Sequence, residues 1–153
     1  LDESVQTPSY GKVSVDVGYG GAFMVFADIR QFGIELEAEN IQAMLDIAME
    51  CGRCAIDQLA MVHPENPALN AKENGICMIL FAEDGESERV ISTRTFTVFG
   101  KRQFDRSPTG TGTSALAAVL HGKGRLREGK KLENRGISGI PFIVTIERQK
   151  EGR

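Results

Sequence analysis

The most constraining feature of this chain is residues 115–120, which read Ala-Leu-Ala-Ala-Val-Leu and are apolar at every position. A helix formed by these residues has no polar side to turn toward water, so it must be buried. Burying a helix on every side requires other elements around it, and a curled sheet does this economically. The segment therefore predicts an α+β domain in which a sheet curls around a central apolar helix.

The rest of the chain supplies about six strands and one surface helix. Residues 11–17 alternate apolar and polar side chains, which indicates a strand with one buried face. Apolar residues recur at spacings of three and four over residues 40–59, which predicts an amphipathic helix with Asn40 as its N-cap. The apolar helix is expected to run from near Gly110 to residues 122–124. The other strands are predicted at residues 23–29, 76–81, 90–99, 131–134 and 142–147, with a turn at residues 84–88.

Length and charge exclude several classes of protein. With 153 residues, 41% of them hydrophobic, the chain is expected to form one domain. A net charge of -3 with both signs interspersed argues against a nucleic-acid partner. Residues 1–20 lack the order of a signal peptide, and no apolar run reaches the roughly 18 residues of a membrane span. We therefore expect a cytoplasmic protein without membrane contact, although Leu1 leaves open a natural start upstream.

The cysteines and His63 are predicted to be structural. Three cysteines are too few for a disulfide scaffold. Cys51 and Cys54 have a CxxC spacing, but they lie inside the predicted helix, and no second pair completes a zinc site. Structural thiols and no metal site are therefore expected, with a redox or metal role as the alternative. His63 begins a proline-containing connection at residues 63–67 and is expected to be a turn residue instead of a general base.

The segment before the apolar helix, residues 105–115, reads Asp-Arg-Ser-Pro-Thr-Gly-Thr-Gly-Thr-Ser-Ala. Pro108 fixes one backbone angle, and Gly110 and Gly112 let the backbone approach a ligand. A helix start favours a bound carboxylate or phosphate through its N–H groups and its dipole. A capped helix without a ligand is the alternative. Three hydroxyl side chains are suited to cap the first turn: Thr111, Thr113 and Ser114.

The complete segment resembles the second active-site motif of the proline racemase family, in which racemases and epimerases have cysteine where this chain has Thr109. Residues 15–23, 97–100 and 121–124 are also similar to segments of that family, so the resemblance covers almost the whole chain. It implies the diaminopimelate epimerase-like fold, in which each of two lobes wraps a mixed sheet around a central helix. Residues 1–153 would form one such lobe. The glycines at residues 18–21 would then either help to shape the site or form a plain hairpin corner.

The resemblance also implies the roles of the site residues and needs no cofactor. The backbone N–H groups of Gly110 and Thr111 would hold the carboxylate of a proline or hydroxyproline, and Asp105 would accept a hydrogen bond from the ring nitrogen. Thr109 would occupy the catalytic position. A threonine hydroxyl is far too weakly acidic to serve as a base, and nothing nearby in the sequence is expected to activate it.

This substitution favours one branch of the family. Racemisation and epimerisation need an acid and a base on opposite faces, whereas a trans-3-hydroxy-L-proline dehydratase can remove the α-proton with one thiolate from the first lobe. The first-lobe motif, Cys-Gly-His, does not occur in the 153 residues. The chain is therefore expected to be one lobe of a dehydratase-like enzyme. Its partners would be the first lobe of the same enzyme and a second copy of that enzyme in a homodimer. The alternatives are a proline racemase or 4-hydroxyproline 2-epimerase lobe, and a non-catalytic carboxylate-binding domain.

Overall fold

The computed structural model describes residues 1–63 and 65–147. In these residues eight strands and three α-helices occur, with 3-10 turns at Ile29–Phe32 and Ala38–Asn40. The strands are β1 (Glu3–Thr7), β2 (Gly11–Tyr19), β3 (Phe23–Asp28), β4 (Cys77–Glu86), β5 (Val90–Phe99), β6 (Gln103–Phe104), β7 (Lys131–Arg135) and β8 (Pro141–Thr145). The helices are α1 (Ile41–Gln58), α2 (Ala71–Asn74) and α3 (Gly110–Gly122).

The strands form one mixed sheet in the order β1-β2-β3-β4-β5-β7-β8. The β3–β4 and β5–β7 pairs are parallel, and the other pairs are antiparallel. One edge of β5 has two partners, because β7 pairs with its first half at Val90–Arg94 and β6 pairs with its end at Val98 and Phe99. Residues 105–109, which lead into α3, follow β6 directly, so the chain leaves the sheet beside the part of β5 that lies between its pairings with β7 and β6.

Helix α1 covers one face of the sheet. Its buried residues include Met44, Ala48 and Cys51, which share an apolar cluster with Val25, Leu80 and Phe96. Burial raises the pKa of the Cys51 thiol to about 12, so this thiol stays protonated at neutral pH and packs as an apolar group. Cys54 is also buried, and both thiols are free. This environment agrees with the structural role expected of the CxxC pair.

The predicted position of α1 agrees with the structure to within one residue at each end, but the predicted cap is wrong. Asn40 makes no side-chain capping bond. Its Nδ2 instead donates to the carbonyl oxygen of Glu35 at 2.9 Å. The 3-10 turn Ala38–Asn40 runs directly into α1, so helical backbone is already present where an N-cap residue would be extended.

Helix α3 packs against the other face, and the sheet curls around it. Its residues Ala115, Leu116, Ala117, Val119 and Leu120 are buried in a second cluster with Met24, Phe26, Ile79, Ile91 and Leu132. The helix contacts both β2 and β8, which lie near opposite ends of the strand order. The α+β fold, with a mixed sheet curled around a central apolar helix, is thereby confirmed.

Burial of α3 on every side is a wrong expectation. Thr111, Ser114 and Ala118 are exposed. They follow one another at spacings of three and four, so they lie on one face of the helix. An alanine side chain loses little by facing water, which is why an entirely apolar sequence can leave this narrow face open.

The strand predictions need corrections at five strands, of which β2 simply runs two residues past its predicted end, to Tyr19. β1 and β6 were not predicted, because β1 has one buried apolar side chain, Val5, and β6 has two residues. Strand β4 continues to Glu86 through a bulge between Glu83 and Gly85, so the turn lies farther along than predicted and is closed by the Ser87 N–H, which donates to the Val90 carbonyl oxygen at 2.8 Å. Strand β8 ends two residues before the predicted limit. The predicted connection at residues 63–67 includes Pro64, which lies outside the described residues.

No helix in the described ranges is both long enough and apolar enough to cross a bilayer.

Candidate active site

The candidate site begins at the end of the β5–β6 hairpin. Phe99 is paired with Gln103, and the N–H of Asp105 donates to the carbonyl oxygen of Thr97 at 3.0 Å. Gly100 and Arg102 adopt left-handed backbone angles in the turn between the two strands. The hairpin thus returns the chain to the middle of the sheet and delivers Asp105 beside the start of α3.

The following loop lies directly on the backbone of Gly136. A Cβ at Gly136 would lie 2.4 Å from the carbonyl carbon of Ser107 and 2.6 Å from the carbonyl oxygen of Arg106. The N–H of Ser138 also donates to the Arg106 oxygen at 3.1 Å. Glycine is required at residue 136 because the loop and the β7–β8 connection approach each other more closely than any side chain allows.

Thr109 connects this loop to α3 in an unusual conformation, with φ at 63° and ψ at 118°. A β-branched residue at positive φ is a true backbone outlier and costs on the order of 1–3 kcal/mol. Such strain persists only where surrounding contacts hold it, and it occurs often at functional sites. The conformation therefore marks Thr109 as a residue of interest independently of its sequence motif.

The side chains of Thr109 and Asp105 form a direct contact. The Thr109 hydroxyl donates to Asp105 Oδ2 at 2.7 Å, and both residues are partly buried. Asp105, four residues before Thr109, is thus the nearby residue that binds the hydroxyl, and the expectation that nothing nearby activates Thr109 as a base stays a prediction. The contact orients the hydroxyl but does not make it a base, because the pKa of a carboxylic acid lies roughly 12 units below that of water and a carboxylate therefore cannot remove a hydroxyl proton.

The first turn of α3 leaves N–H groups available to a ligand. The bond from the Thr113 N–H to the Thr109 carbonyl oxygen, 2.8 Å long, begins the helical ladder, so the N–H groups of Gly110 and Thr111 precede it. Thr109 makes no side-chain capping bond. Both Gly110 and Thr111 are exposed. These features are those of a helix start that can bind an anion.

The predicted capping by Thr113 and Ser114 is wrong. The Ser114 hydroxyl donates to the Gly110 carbonyl oxygen at 2.9 Å, and the Thr113 hydroxyl donates to the Pro108 carbonyl oxygen at 3.0 Å. Both hydroxyl groups thus bond to backbone oxygens instead of N–H groups. This arrangement supports the anion-binding interpretation over the capped helix without a ligand.

The glycine segment after β2 shapes the same helix start. A Cβ at Gly20 would lie 2.2 Å from the Thr111 carbonyl oxygen, and a Cβ at Gly18 would lie 2.9 Å from that of Ala115. The segment is a hairpin corner, because the Gly20 N–H donates to the Ala22 carbonyl oxygen at 3.2 Å. The sequence left open whether residues 18–21 shape the site or form a plain hairpin corner. Both interpretations hold, because the backbone of this corner packs directly against the first turns of α3.

His63 has a structural environment. Its ring packs edge-on against Tyr19, with centroids 4.8 Å apart, and Tyr19 packs in the same way against Phe23 at 5.2 Å. The N–H of Glu65 donates to His63 Nδ1 at 3.3 Å. These contacts agree with the expected turn residue.

Sequence reasoning missed two polar residues near the site. Asn134, on β7, is fully buried and donates through Nδ2 to the Thr113 hydroxyl at 2.9 Å. Cys77, at the start of β4, has a thiol whose pKa is raised by burial and also by the charge of Asp105. Asn134 lies two residues after the inward-facing Leu132 and therefore points to the same face of the strand. A polar residue at such an inward position is the sequence feature that could have indicated a buried hydrogen-bond network. Cys77 belongs to no motif and gave none.

Metal ligands are not grouped in the part of the chain that the structure describes, since no cluster of three or more His, Cys, Asp or Glu residues there could hold an ion.

Comparison with known sequences identifies relatives along nearly the whole chain. The sequence model of the family described as "Proline racemase" matches residues 1–152. The 4-hydroxyproline 2-epimerase of Agrobacterium fabrum is 34% identical over 152 residues, which are 99% of this chain and 42% of that protein. The trans-3-hydroxy-L-proline dehydratase of Azospirillum brasilense is 33% identical over 148 residues, or 97% of this chain and 43% of that protein.

Solved structures give the same result. A crystal structure of a hydroxyproline epimerase from Agrobacterium vitis with bound trans-4-hydroxy-L-proline superposes with a TM-score of 0.84 at 31% identity. The superposition covers 100% of this chain and 43% of the epimerase. The chain thus spans less than half the length of the relatives that it matches.

Proposed function

Because the chain belongs to the proline racemase family, we propose that residues 1–153 form the second lobe of a two-lobed enzyme that acts on a hydroxyproline. The observation that carries this proposal is the start of α3, where exposed N–H groups lie beside the hydrogen-bonded pair of Thr109 and Asp105. Relatives named as epimerases and as dehydratases both support an enzyme of this family. We expect a cytoplasmic, cofactor-independent enzyme whose partners are its first lobe and a second copy of itself.

The proposed substrate contacts follow from the charges of a hydroxyproline. The N–H groups of Gly110 and Thr111, at the positive end of the helix dipole, hold the carboxylate. As the α-proton leaves, negative charge spreads into the carboxylate, and the same amides stabilise it. Asp105 accepts a hydrogen bond from the ring nitrogen through Oδ1, while its Oδ2 holds the Thr109 hydroxyl.

Thr109 favours dehydration of trans-3-hydroxy-L-proline over inversion. A base outside this lobe, which the family resemblance implies to be a first-lobe thiolate, takes the proton from the α-carbon. The electron pair of that bond forms the double bond to C3 as the C3–O bond breaks, and the departing hydroxide takes a proton from solvent water, so that the net product beside the enamine is one water molecule. The enamine then converts to the cyclic imine. Thr109 needs only to orient the departing hydroxyl or a water molecule, because elimination requires no second base.

A second candidate is 4-hydroxyproline 2-epimerase. It is favoured by the relatives that carry this name and by the epimerase structure with bound trans-4-hydroxy-L-proline. It requires an acid on the face that Thr109 occupies, and a threonine hydroxyl held by a carboxylate is a poor donor for that step.

The deciding experiment identifies the product by NMR in deuterated water, with the complete enzyme and both substrates. The dehydratase proposal expects trans-3-hydroxy-L-proline to yield the cyclic imine and 4-hydroxyproline to remain unchanged. Inversion of 4-hydroxyproline with deuterium at the α-carbon, and no reaction of the 3-hydroxy substrate, would replace this proposal with the epimerase. The 153-residue chain assayed alone is expected to turn over neither substrate.

A further inference from the structure

A buried network of hydroxyl and amide groups connects the sheet to the strained turn at Thr109. Its centre is Asn134, which is 0% exposed. Asn134 Oδ1 accepts from the Thr93 hydroxyl at 2.9 Å, and Nδ2 donates to Thr113 Oγ1 at 2.9 Å. The Thr95 hydroxyl lies 3.2 Å from Oδ1 and 3.0 Å from Nδ2 of the same amide. A polar side chain this deeply buried is thus fully paired by the protein itself.

The network has a fixed direction at Thr113. Because Asn134 Nδ2 can only donate, the Thr113 oxygen accepts there and its own proton must go to another group. That proton is donated to the Pro108 carbonyl oxygen at 3.0 Å. The N–H of Thr113 donates to the next carbonyl oxygen, that of Thr109, at 2.8 Å. One residue therefore holds both carbonyl groups that flank the Thr109 backbone.

We propose that Thr113 and Asn134 are positioning residues that hold Thr109 at positive φ, so that the N–H groups of Gly110 and Thr111 point at one carboxylate. Backbone strain persists where several bonds over-determine it, and these two carbonyl contacts fix the peptide groups on either side of the strained residue. Only the identity of the ligand in this inference depends on the proposed function.

Strand β5 offers a matched control. Thr97 occupies the next inward position after Thr93 and Thr95 and is equally buried at 1%. In the described part of the chain its hydroxyl has no hydrogen-bond partner. Replacing an unpaired hydroxyl by a methyl group of the same shape removes no bond. Thr97→Val therefore repeats the chemical change of Thr113→Val without touching the network.

The test compares Asn134→Asp, Thr113→Val, Thr113→Ser and Thr97→Val by NMR and by titration with pyrrole-2-carboxylate. An aspartate cannot donate to Thr113, so the Thr113 proton would turn toward it and release the Pro108 carbonyl group. Asn134→Asp and Thr113→Val are expected to shift the amide resonances of Gly110 and Thr111 in the ligand-free chain. They should also weaken binding of the analogue about tenfold. Thr113→Ser, which keeps the hydroxyl, and Thr97→Val should both remain close to the unchanged chain.

A purely structural network would give a different result. Folded Thr113→Val would then melt earlier but keep its Gly110 and Thr111 resonances and its affinity, and the inference would be overturned. If Asn134→Asp did not fold, the Thr113→Val and Thr113→Ser pair would decide the question. If the unchanged chain bound no pyrrole-2-carboxylate, the proposed function would fail, while the ligand-free resonances would still test the positioning of the turn.

Discussion

Helices α1 and α3 pack on opposite faces of one sheet but are built differently. Helix α1 is amphipathic and carries two buried thiols in its middle, where burial keeps the Cys51 thiol protonated. Helix α3 is apolar through most of its length and has its hydroxyl groups in the first turn, directly after a residue at positive φ. Reactive side-chain types thus occur in both helices, but only α3 presents polar groups at an open, strained end. The position of the polar groups, buried in the middle of α1 but at the open first turn of α3, distinguishes the two helices better than the residue types do.

One glycine packed against α3 and one inside α1 extend this comparison. The glycine at α3, Gly20, gives the largest expected change in the free energy of unfolding. A Cβ at Gly20 would lie 2.2 Å from the Thr111 carbonyl oxygen and 2.9 Å from the Ala115 nitrogen, and both are backbone atoms that cannot rotate away. Gly20→Ala should therefore lower the free energy of unfolding by more than about 3 kcal/mol or prevent folding. Urea denaturation measures this change. An unaltered midpoint would mean that α3 does not lie so close to the hairpin corner.

A second prediction compares two carboxylates, one from each region. Asp105 lies at the start of α3, whereas Asp46 is exposed on α1 in an ion pair with Arg102. Under the proposed function, Asp105→Ala should weaken binding of trans-3-hydroxy-L-proline by about 2 kcal/mol, because the proposed hydrogen bond to the charged ring nitrogen would be lost. Asp46→Ala should leave the affinity unchanged. Equal effects of the two substitutions in a calorimetric titration would remove Asp105 from the site.

The fold was largely predictable because its strongest signals are periodic. The apolar run at residues 115–120 requires a surrounding sheet, and the spacing of apolar residues in α1 locates that helix to within one residue at each end. Strands β1 and β6 carry no such periodic signal. Their extended conformation is stabilised by hydrogen bonding to β2 and to β5, which the local sequence does not encode. The Asn40 cap failed for a related reason, because a preceding 3-10 turn replaces the cap that the local sequence suggests.

The candidate site was predictable only where its residues are adjacent in sequence. The segment at residues 105–115 placed Asp105, Thr109 and the amides of Gly110 and Thr111 together, and the structure brings them to one helix start. The contribution of Asn134 comes from another strand through pairing with β5, and the roles of Gly20 and Gly136 depend on close approaches between distant backbone segments. No local pattern encodes these contacts.

The buried thiol of α1 predicts that stability depends on pH, and α3 carries no thiol. Burial raises the folded-state pKa of Cys51 to about 12, whereas an unfolded thiol ionises near pH 8.5. The folded state therefore binds more protons between these values, so stability is fully present below about pH 8.5 and declines as pH rises toward 12. Cys51→Ala should flatten the slope of unfolding free energy against pH between about 8.5 and 10. Thr113→Val removes no titratable group and should keep the slope of the unchanged chain. If Cys51→Ala also kept that slope, the Cys51 thiol would not be the cause of the decline in stability.

The smallest expected effect comes from the glycine inside α1. A Cβ at Gly52 would lie 3.6 Å from Met78 Cβ and 3.8 Å from Ile76 Cδ1, which are ordinary van der Waals distances. Gly52→Ala should therefore raise the free energy of unfolding by about 0.5–1 kcal/mol, because alanine loses less backbone entropy in a helix than glycine does. The binding of pyrrole-2-carboxylate should not change, since α1 lies on the other face of the sheet from Gly110 and Thr111. The same substitution is thus expected to stabilise the chain at Gly52 and to disrupt it at Gly20, and denaturation of both variants under one set of conditions measures the difference. A destabilised Gly52→Ala variant would show that the packing beneath α1 is as tight as that beside α3, and the contrast between the two helices would then rest on their chemistry alone.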